Sequence, residues 1–246
     1  MSGNKAVLFD MDGVIFDSER AVLAVWRELA AELDLPGIGE VFLRCVGTNK
    51  RRTEEILLAA YPGLDFPAFD GEVRRRFRAR YDGGRLPVKP GTEQILRALR
   101  ERKLPLALAS STESGVVRRE LEEAGLLGYF DAVIGGDQVH VSKPNPEIFL
   151  LAAKALDAAP EDCFVIEDSF NGIRAARAAG MHGVMVPDLL PPDGEMEQLA
   201  EVILPDLAAA EEYIIGRVTG DAEASPVASS DATGKFGIVG NEKHLP

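Results

Sequence analysis

Cysteine is scarce in this 246-residue chain: it has two, Cys45 and Cys163, far apart and outside any metal-ligand spacing such as Cys-x-x-Cys. That excludes a disulfide framework and a cysteine-built metal centre, and it predicts free thiols in a reducing cytoplasm. Histidine is nearly as rare, and neither His140 nor His182 has a metal-like partner close in sequence. Long apolar runs are missing. None approaches the ~20 residues that span a bilayer, and Asp10 interrupts the first apolar stretch before a signal-like segment can form. Basic charge is in deficit, with 27 Lys and Arg against 40 Asp and Glu and a net charge of -13. Without a cationic surplus to displace counterions, nucleic acid is a poor partner, and an anionic substrate needs a local cationic pocket or a metal. The expectation is a soluble cytoplasmic protein, a monomer or weak dimer, acting on a small molecule.

What is present is ordinary in bulk, 46% hydrophobic and 27% charged, at a length that allows one large domain or two modest ones. The informative stretch is residues 10–18, Asp-Met-Asp-Gly-Val-Ile-Phe-Asp-Ser. Before it, Ala6-Val7-Leu8-Phe9 is too short for a helix and suits a buried parallel strand. Such a strand delivers Asp10 and Asp12 to its C-terminal end, where open α/β sheets bind ligands. Gly13 then permits a sharp turn. Two carboxylates this close repel unless a cation lies between them or one holds a proton. A carboxylate can also attack phosphorus, while its neighbour moves protons. Taken alone, the pair could equally end a strand and cap a turn.

Ser18 is placed to cap a helix carrying Val22, Val25, Trp26, Leu29 and Leu33 at helical spacing. Further helices are expected at 40–46, 52–60 and 68–81, with no second strand among them. A helix-only block of this size after one strand reads as an inserted cap, with 82–91 as its return hinge. From there strands and helices alternate, the mark of a parallel α/β sheet. Strands are expected at 104–109, 132–134, 163–166, 183–186 and 201–204. Helices are expected from Thr92, from Ser110-Ser111-Thr112 to Ala124, over 146–156 behind an Asn145 cap, after Ser169, and over 206–215. The domain reading is a core of 1–16 and 85–216, a cap of 17–84, and a poorly packed tail of 217–246 whose one apolar knot is Phe236-Gly237-Ile238-Val239.

Three more polar elements share the strand-end position of Asp10. Ser110 ends one strand where amides opening a helix can cradle phosphate. Lys143 precedes Pro144 and offers a fixed cation. Glu167 and Asp168 end another strand and offer oxygen to a hard cation such as Mg²⁺. Singly, these read as helix caps or a solvated charge; together they define one sheet edge.

The chain therefore resembles the haloacid dehalogenase-like superfamily, in the β-phosphoglucomutase and phosphatase branch with a helical cap after the first strand. The resemblance rests on Asp10-Met11-Asp12-Gly13-Val14, Leu108-Ala109-Ser110-Ser111, Lys143-Pro144 and Ile166-Glu167-Asp168-Ser169, and covers about residues 5–215. It implies a Rossmann-like parallel sheet with an all-α cap, Mg²⁺, Asp10 as a nucleophile that becomes phosphorylated, and Asp12 as general acid/base. It further implies that Asp10, the Asp12 carbonyl and Asp168 hold the metal with Glu167 supporting, and that Ser110, Ser111 and Lys143 bind the phosphoryl group.

Asp12 separates this chain from dehalogenases, which resemble the fold but lack that carboxyl, and from phosphonatases, which use a cap lysine. Mutases of the β-phosphoglucomutase type carry a cap histidine where this chain has Val22, and an arginine where it has Lys50, which keeps the charge but not the fork. The expected activity is a phosphatase for a small phosphorylated metabolite, a sugar or nucleoside phosphate. A phosphosugar mutase is the alternative, and a non-catalytic sensor of a phosphorylated ligand is an alternative of another class. Thr48, Asn49, Lys50 and Arg51, after Gly47, are the candidate substrate contacts. The run Arg74, Arg75, Arg76, Arg78 and Arg80 reads as a solvated helix face, and Trp26 as cap packing.

Overall fold

The computed structural model describes residues 5–48 and 50–220. Six parallel strands form one sheet in the order β3-β2-β1-β4-β5-β6. They are β1 (Ala6–Phe9), β2 (Leu106–Ala109), β3 (Ala132–Ile134), β4 (Cys163–Glu167), β5 (His182–Met185) and β6 (Val202–Ile203). This is the Rossmann order, and it places the topological switch between β1 and β4, where a crevice opens at the strand C-termini.

Alternation along the strands sorts their side chains by size. Val7, Phe9, Leu106, Leu108, Phe164 and Ile166 fill one face, and Ala6, Leu8, Ala107, Ala109, Cys163 and Val165 the other. The bulky face is covered by α5 (Thr92–Glu101), α6 (Ser114–Glu123) and α10 (Leu207–Thr219), through Ile95, Leu96, Leu99, Val117, Leu121 and Ile214. The small face admits α7 (Glu147–Ala155) and α8 (Phe170–Ala178) through Ile148, Phe149, Ala152, Ala175 and Ala176. The result is a three-layer core.

Between β1 and α5 lie only helices: α1 (Ser18–Leu33), α2 (Ile38–Leu43), α3 (Lys50–Ala60) and α4 (Phe66–Tyr81). They bury an apolar cluster of their own around Trp26, which meets Phe42 and Phe69 edge-on with ring centroids 5.0 and 5.2 Å apart. Trp26 packs within these helices, as expected, and its exposed edge also lines the cavity described below. The outgoing and returning linkers run side by side, with Asp17 N donating to Pro87 O and Lys89 N to Ile15 O. Both cysteines are buried free thiols. None of the described helices is long and apolar enough to cross a membrane.

Several boundaries differ from the sequence reading. The second cap helix starts at Ile38 rather than residue 40, because Gly37 adopts the left-handed conformation that opens it. A short helix, α9 (Met196–Leu199), precedes β6; it was hidden among the Pro, Asp and Gly of 191–194. The last helix outruns its expected end at 215 and continues to Thr219, where Gly220 closes it in the left-handed region. The first residues assigned to the tail are therefore helical, while 221–246 lie outside the described residues.

Leu99 is fully buried under the sheet, whereas Leu33 is 48% exposed although it shares the helical spacing of its neighbours. Leu99→Ala is expected to lower unfolding stability by about 2–5 kcal/mol. Leu33→Ala should change it by less than about 0.5 kcal/mol. Urea unfolding followed by circular dichroism measures both.

Candidate active site

The switch-point crevice collects the predicted residues because β1 and β4 are neighbours in register, Phe9 opposite Ile166. One step further, Asp10 N donates to Ile166 O at 3.0 Å, which sets Asp10 beside Glu167 at the sheet edge. Lys143 arrives from the segment before α7. Its ammonium donates to Asp10 Oδ1 at 2.6 Å, to Glu167 Oε1 at 2.8 Å and to Ala109 O at 3.1 Å, and lies 4.7 Å from the centre of the Phe149 ring. The lysine side chain is 6% exposed. Burial alone would disfavour its charge, but Asp10 and Glu167 outweigh that and hold its pKa above the ordinary lysine value. Burial pushes Asp10 up to about 7, with Lys143 pulling the other way.

Glu167 is committed at both oxygens. Oε2 accepts from Ser169 N at 2.8 Å and from Ser169 Oγ at 3.0 Å, and that hydroxyl accepts in turn from Gly172 N, capping α8. Gly172 has no room for a side chain, since a Cβ would overlap the Glu167 carboxylate. Gly13 is required twice over: its φ is +80°, and a Cβ there would overlap the Asp168 carboxylate.

Asp12 faces a set of hydroxyls. Oδ1 accepts from Ser18 Oγ at 2.6 Å, and Oδ2 from Thr112 Oγ1 at 3.2 Å with Ser110 Oγ at 3.5 Å. Two expectations change here. Ser18 does not cap α1: Asp17 holds the cap position without a side-chain bond, and the Ser18 hydroxyl is turned to Asp12 instead. Ser110 is fully buried beneath the edge, its Oγ accepting from Thr112 N, so Ser111 and Thr112 rather than Ser110 line the cavity.

Asp10, Glu167 and Asp168 each bring a carboxylate oxygen into a group within 4.8 Å of one another. Burial drives the Asp168 pKa well up, and Glu167, Glu19, Asp10 and Asp188 all push it the same way. Buried hard oxygens outnumbering their one lysine suit a divalent cation of the hard class.

A cavity of about 700 Å³ opens above these groups, walled by Asp10, Asp12 and Lys143 below and by Val22, Lys50 and Arg78 of the helices above. Of the four cap candidates, Thr48 and Lys50 line it, while Asn49 lies outside the described residues. Lys50 Nζ is engaged with Asp70 Oδ2 at 2.8 Å. Arg51 points away, its side chain 89% exposed and paired with Glu55. The arginine run divides, because α4 turns about 100° per residue. Arg75, Arg76 and Arg80 pair with Glu72, Glu32 and Glu28, whereas Arg74 and Arg78 line the cavity. Both are exposed and Arg74 pairs with Asp70 at 3.2 Å, so these two remain solvated as expected while also reaching the cavity wall.

The sequence reading missed Ser18, Thr112, Ser169 and Gly172 as site residues. A glycine in the first turn of a helix, just after Glu-Asp-Ser, was a usable signal for Gly172. The others carried none, because hydroxyls near a strand end read as caps.

A doubly wound α/β core with a buried Asp–Lys–Glu contact at its switch point, roofed by a helical insert, defines a hydrolase class. The profile of the haloacid dehalogenase-like hydrolases matches residues 4–180, and the chain belongs to that family. It is 34% identical to the phosphorylated carbohydrates phosphatase of Thermotoga maritima, over 73% of this chain and 83% of that one. It is 29% identical to the β-phosphoglucomutase of Bacillus subtilis, over 74% and 83%. In structure it superposes on a hydrolase of the same family from Deinococcus radiodurans, crystallised with bound phosphate and sodium, with a TM-score of 0.72 at 30% identity over 89% of this chain and 97% of that one.

Lys143→Met leaves Asp10 and Glu167 buried without a counter-charge, and is expected to destabilise the cation-free protein by about 3–5 kcal/mol at pH 8. Asp10 is already pushed up to about 7 with the lysine present, and losing the lysine raises it further. The Asp10 share of that penalty is absent at pH 5, where the carboxyl is protonated with or without the lysine, and grows as the pH rises above about 7. Urea unfolding at pH 5 and pH 8 measures the difference.

Proposed function

We propose that the protein is a Mg²⁺-dependent phosphatase that hydrolyses a small phosphorylated metabolite, a sugar phosphate or nucleoside monophosphate, through an aspartyl-phosphate. The observation that carries this reading is the division of labour between the two aspartates: Asp10 is gripped by Lys143, while Asp12, two residues on, is held by hydroxyls.

The Asp10 carboxylate attacks phosphorus as the ester P–O bond breaks, and Asp12 delivers a proton to the leaving oxygen. Water then attacks the phosphorus of the aspartyl-phosphate and gives its proton to Asp12. The bond to Asp10 breaks and phosphate leaves. Lys143 is the cation that lowers repulsion between the Asp10 carboxylate and an anionic phosphoryl group, and Ser111 on the cavity wall completes the cradle, with Ser110 beneath it bonded to Asp12 and the Thr112 amide. Asp10, the Asp12 carbonyl and Asp168 would hold Mg²⁺, with Glu167 supporting through Lys143 and Ser169. When bound, the ion supplies charge neutralisation at the phosphoryl oxygens.

In this reading 1–16 and 85–216 form the catalytic core and 17–84 the cap that excludes water and selects the substrate, with Thr48 and Lys50 as its polar contacts on the cavity wall. The two buried free thiols fit a reducing cytoplasm.

Phosphosugar mutase is the second reading, supported by the similarity to the Bacillus enzyme. Against it stands Val22, an apolar wall residue where such mutases place a histidine. Phosphate release from a panel of sugar, nucleotide and polyol phosphates decides. It should vanish with EDTA and with Asp10→Asn, and fall about 10²–10⁴-fold with Asp12→Asn. Isomerisation of β-glucose 1-phosphate, primed by the 1,6-bisphosphate and without release, would make the protein a mutase. Ligand binding with no turnover in the wild type would make it a sensor.

A further inference from the structure

Two carboxylate oxygens near Asp168 are buried without a hydrogen-bond partner: Glu19 Oε2 and Asp188 Oδ2. The Asp188 side chain is 1% exposed, so bulk water does not serve it. Its other oxygen is fully used, accepting from Lys89 Nζ at 2.7 Å and from Arg20 at 2.9 Å. Leaving a buried acceptor unserved costs about 1–3 kcal/mol, and more for a charged one. Two such oxygens side by side therefore call for a donor. Glu19, Asp168 and Asp188 each present a carboxylate oxygen within 4.8 Å of one another, and Asp168 also belongs to the group formed with Asp10 and Glu167.

The proposed cation has need of acceptors at this place. A Mg²⁺ ion takes about six oxygen ligands and keeps several waters, each with protons to donate. Glu167 already accepts three hydrogen bonds, one from Lys143 and two from Ser169. We infer that Glu19 and Asp188 belong to the divalent-cation site, accepting hydrogen bonds from the ion's bound waters beside Asp168. This inference rests on the cation-dependent reading above and deepens it. Glu19 lies in the first turn of α1, so the cap itself closes the ion's water shell. Asp188 ties that shell to both linkers, through Arg20 beside the outgoing one and Lys89 on the returning one.

The test is Mn²⁺ binding to the full chain, followed by the electron paramagnetic resonance of free Mn²⁺. Glu19→Gln and Asp188→Asn should each weaken binding about 10–100-fold, and Asp168→Asn should abolish it. Glu120→Gln is the control, a carboxyl pushed by burial up to about 7 but outside both groups, and it should bind as the wild type does. Excess Mg²⁺ should restore the turnover of Glu19→Gln, which a merely misfolded variant would not show. If Glu19→Gln and Asp188→Asn bind Mn²⁺ within about twofold of wild type while Asp168→Asn fails to bind, the two carboxylates share a proton instead and the inference is overturned. If Asp168→Asn also binds normally, the cation site itself is misplaced and both readings fall.

Discussion

The ammonium of Lys143, set between Asp10 and Glu167, is the contact on which the rest of the site depends. Two carboxylates at adjacent strand ends, each nearly without solvent, repel strongly in a low-dielectric setting. A single lysine that is itself 6% exposed answers both. The arrangement binds three separate parts of the chain, the ends of β1 and β4 and the segment before α7, so it cannot form until the sheet does. The same contact leaves the ammonium charged and fixed beside the nucleophile candidate, where the charge is already desolvated and needs no rearrangement when an anion arrives.

The surrounding residues serve that contact. Gly172 leaves room for the Glu167 carboxylate and Gly13 for that of Asp168; at both places a methyl group would overlap oxygen. Ala107 and Ala109, small residues on one face of β2, let α7 pack closely against the sheet, and α7 carries the Phe149 ring beneath Lys143. Packing and electrostatics thus constrain the same few positions.

Much of this was legible in the residues, for identifiable reasons. Parallel strands buried on both faces are short continuous apolar runs, so Ala6–Phe9 and Cys163–Ile166 stood out, and the polar residue after each run could be placed at the sheet edge. The helix-only block was visible because it contains no such run. What escaped was everything that depends on the direction of a side chain. Ser18 precedes a helix and reads as its cap, yet the strand end two turns earlier brings Asp12 within its reach. Arg74 and Arg78 sit among arginines of equal appearance, and only the placement of α4 over the cavity shows which of them reach its wall. Glu19 and Asp188 are separated by 169 positions and were invisible as a pair, because nothing in a sequence marks an oxygen as unpartnered.

The joint between cap and core follows from how little apolar surface they share. Each has its own cluster of buried side chains, and Phe77 and Tyr81, near the end of α4, are the partly buried rings that touch both. Apolar burial contributes roughly 25 cal/mol per Å², so two partly buried rings hold the cap far less firmly than either cluster holds itself. What remains are mainly directional contacts: the backbone pairing of Ile15 and Asp17 with Lys89 and Pro87, the charges of Arg20 and Lys89 on Asp188, and Asn171 Nδ2 donating to Gly47 O at 2.6 Å. Asp188 is the residue at which the charges of the two linkers meet the acidic cluster.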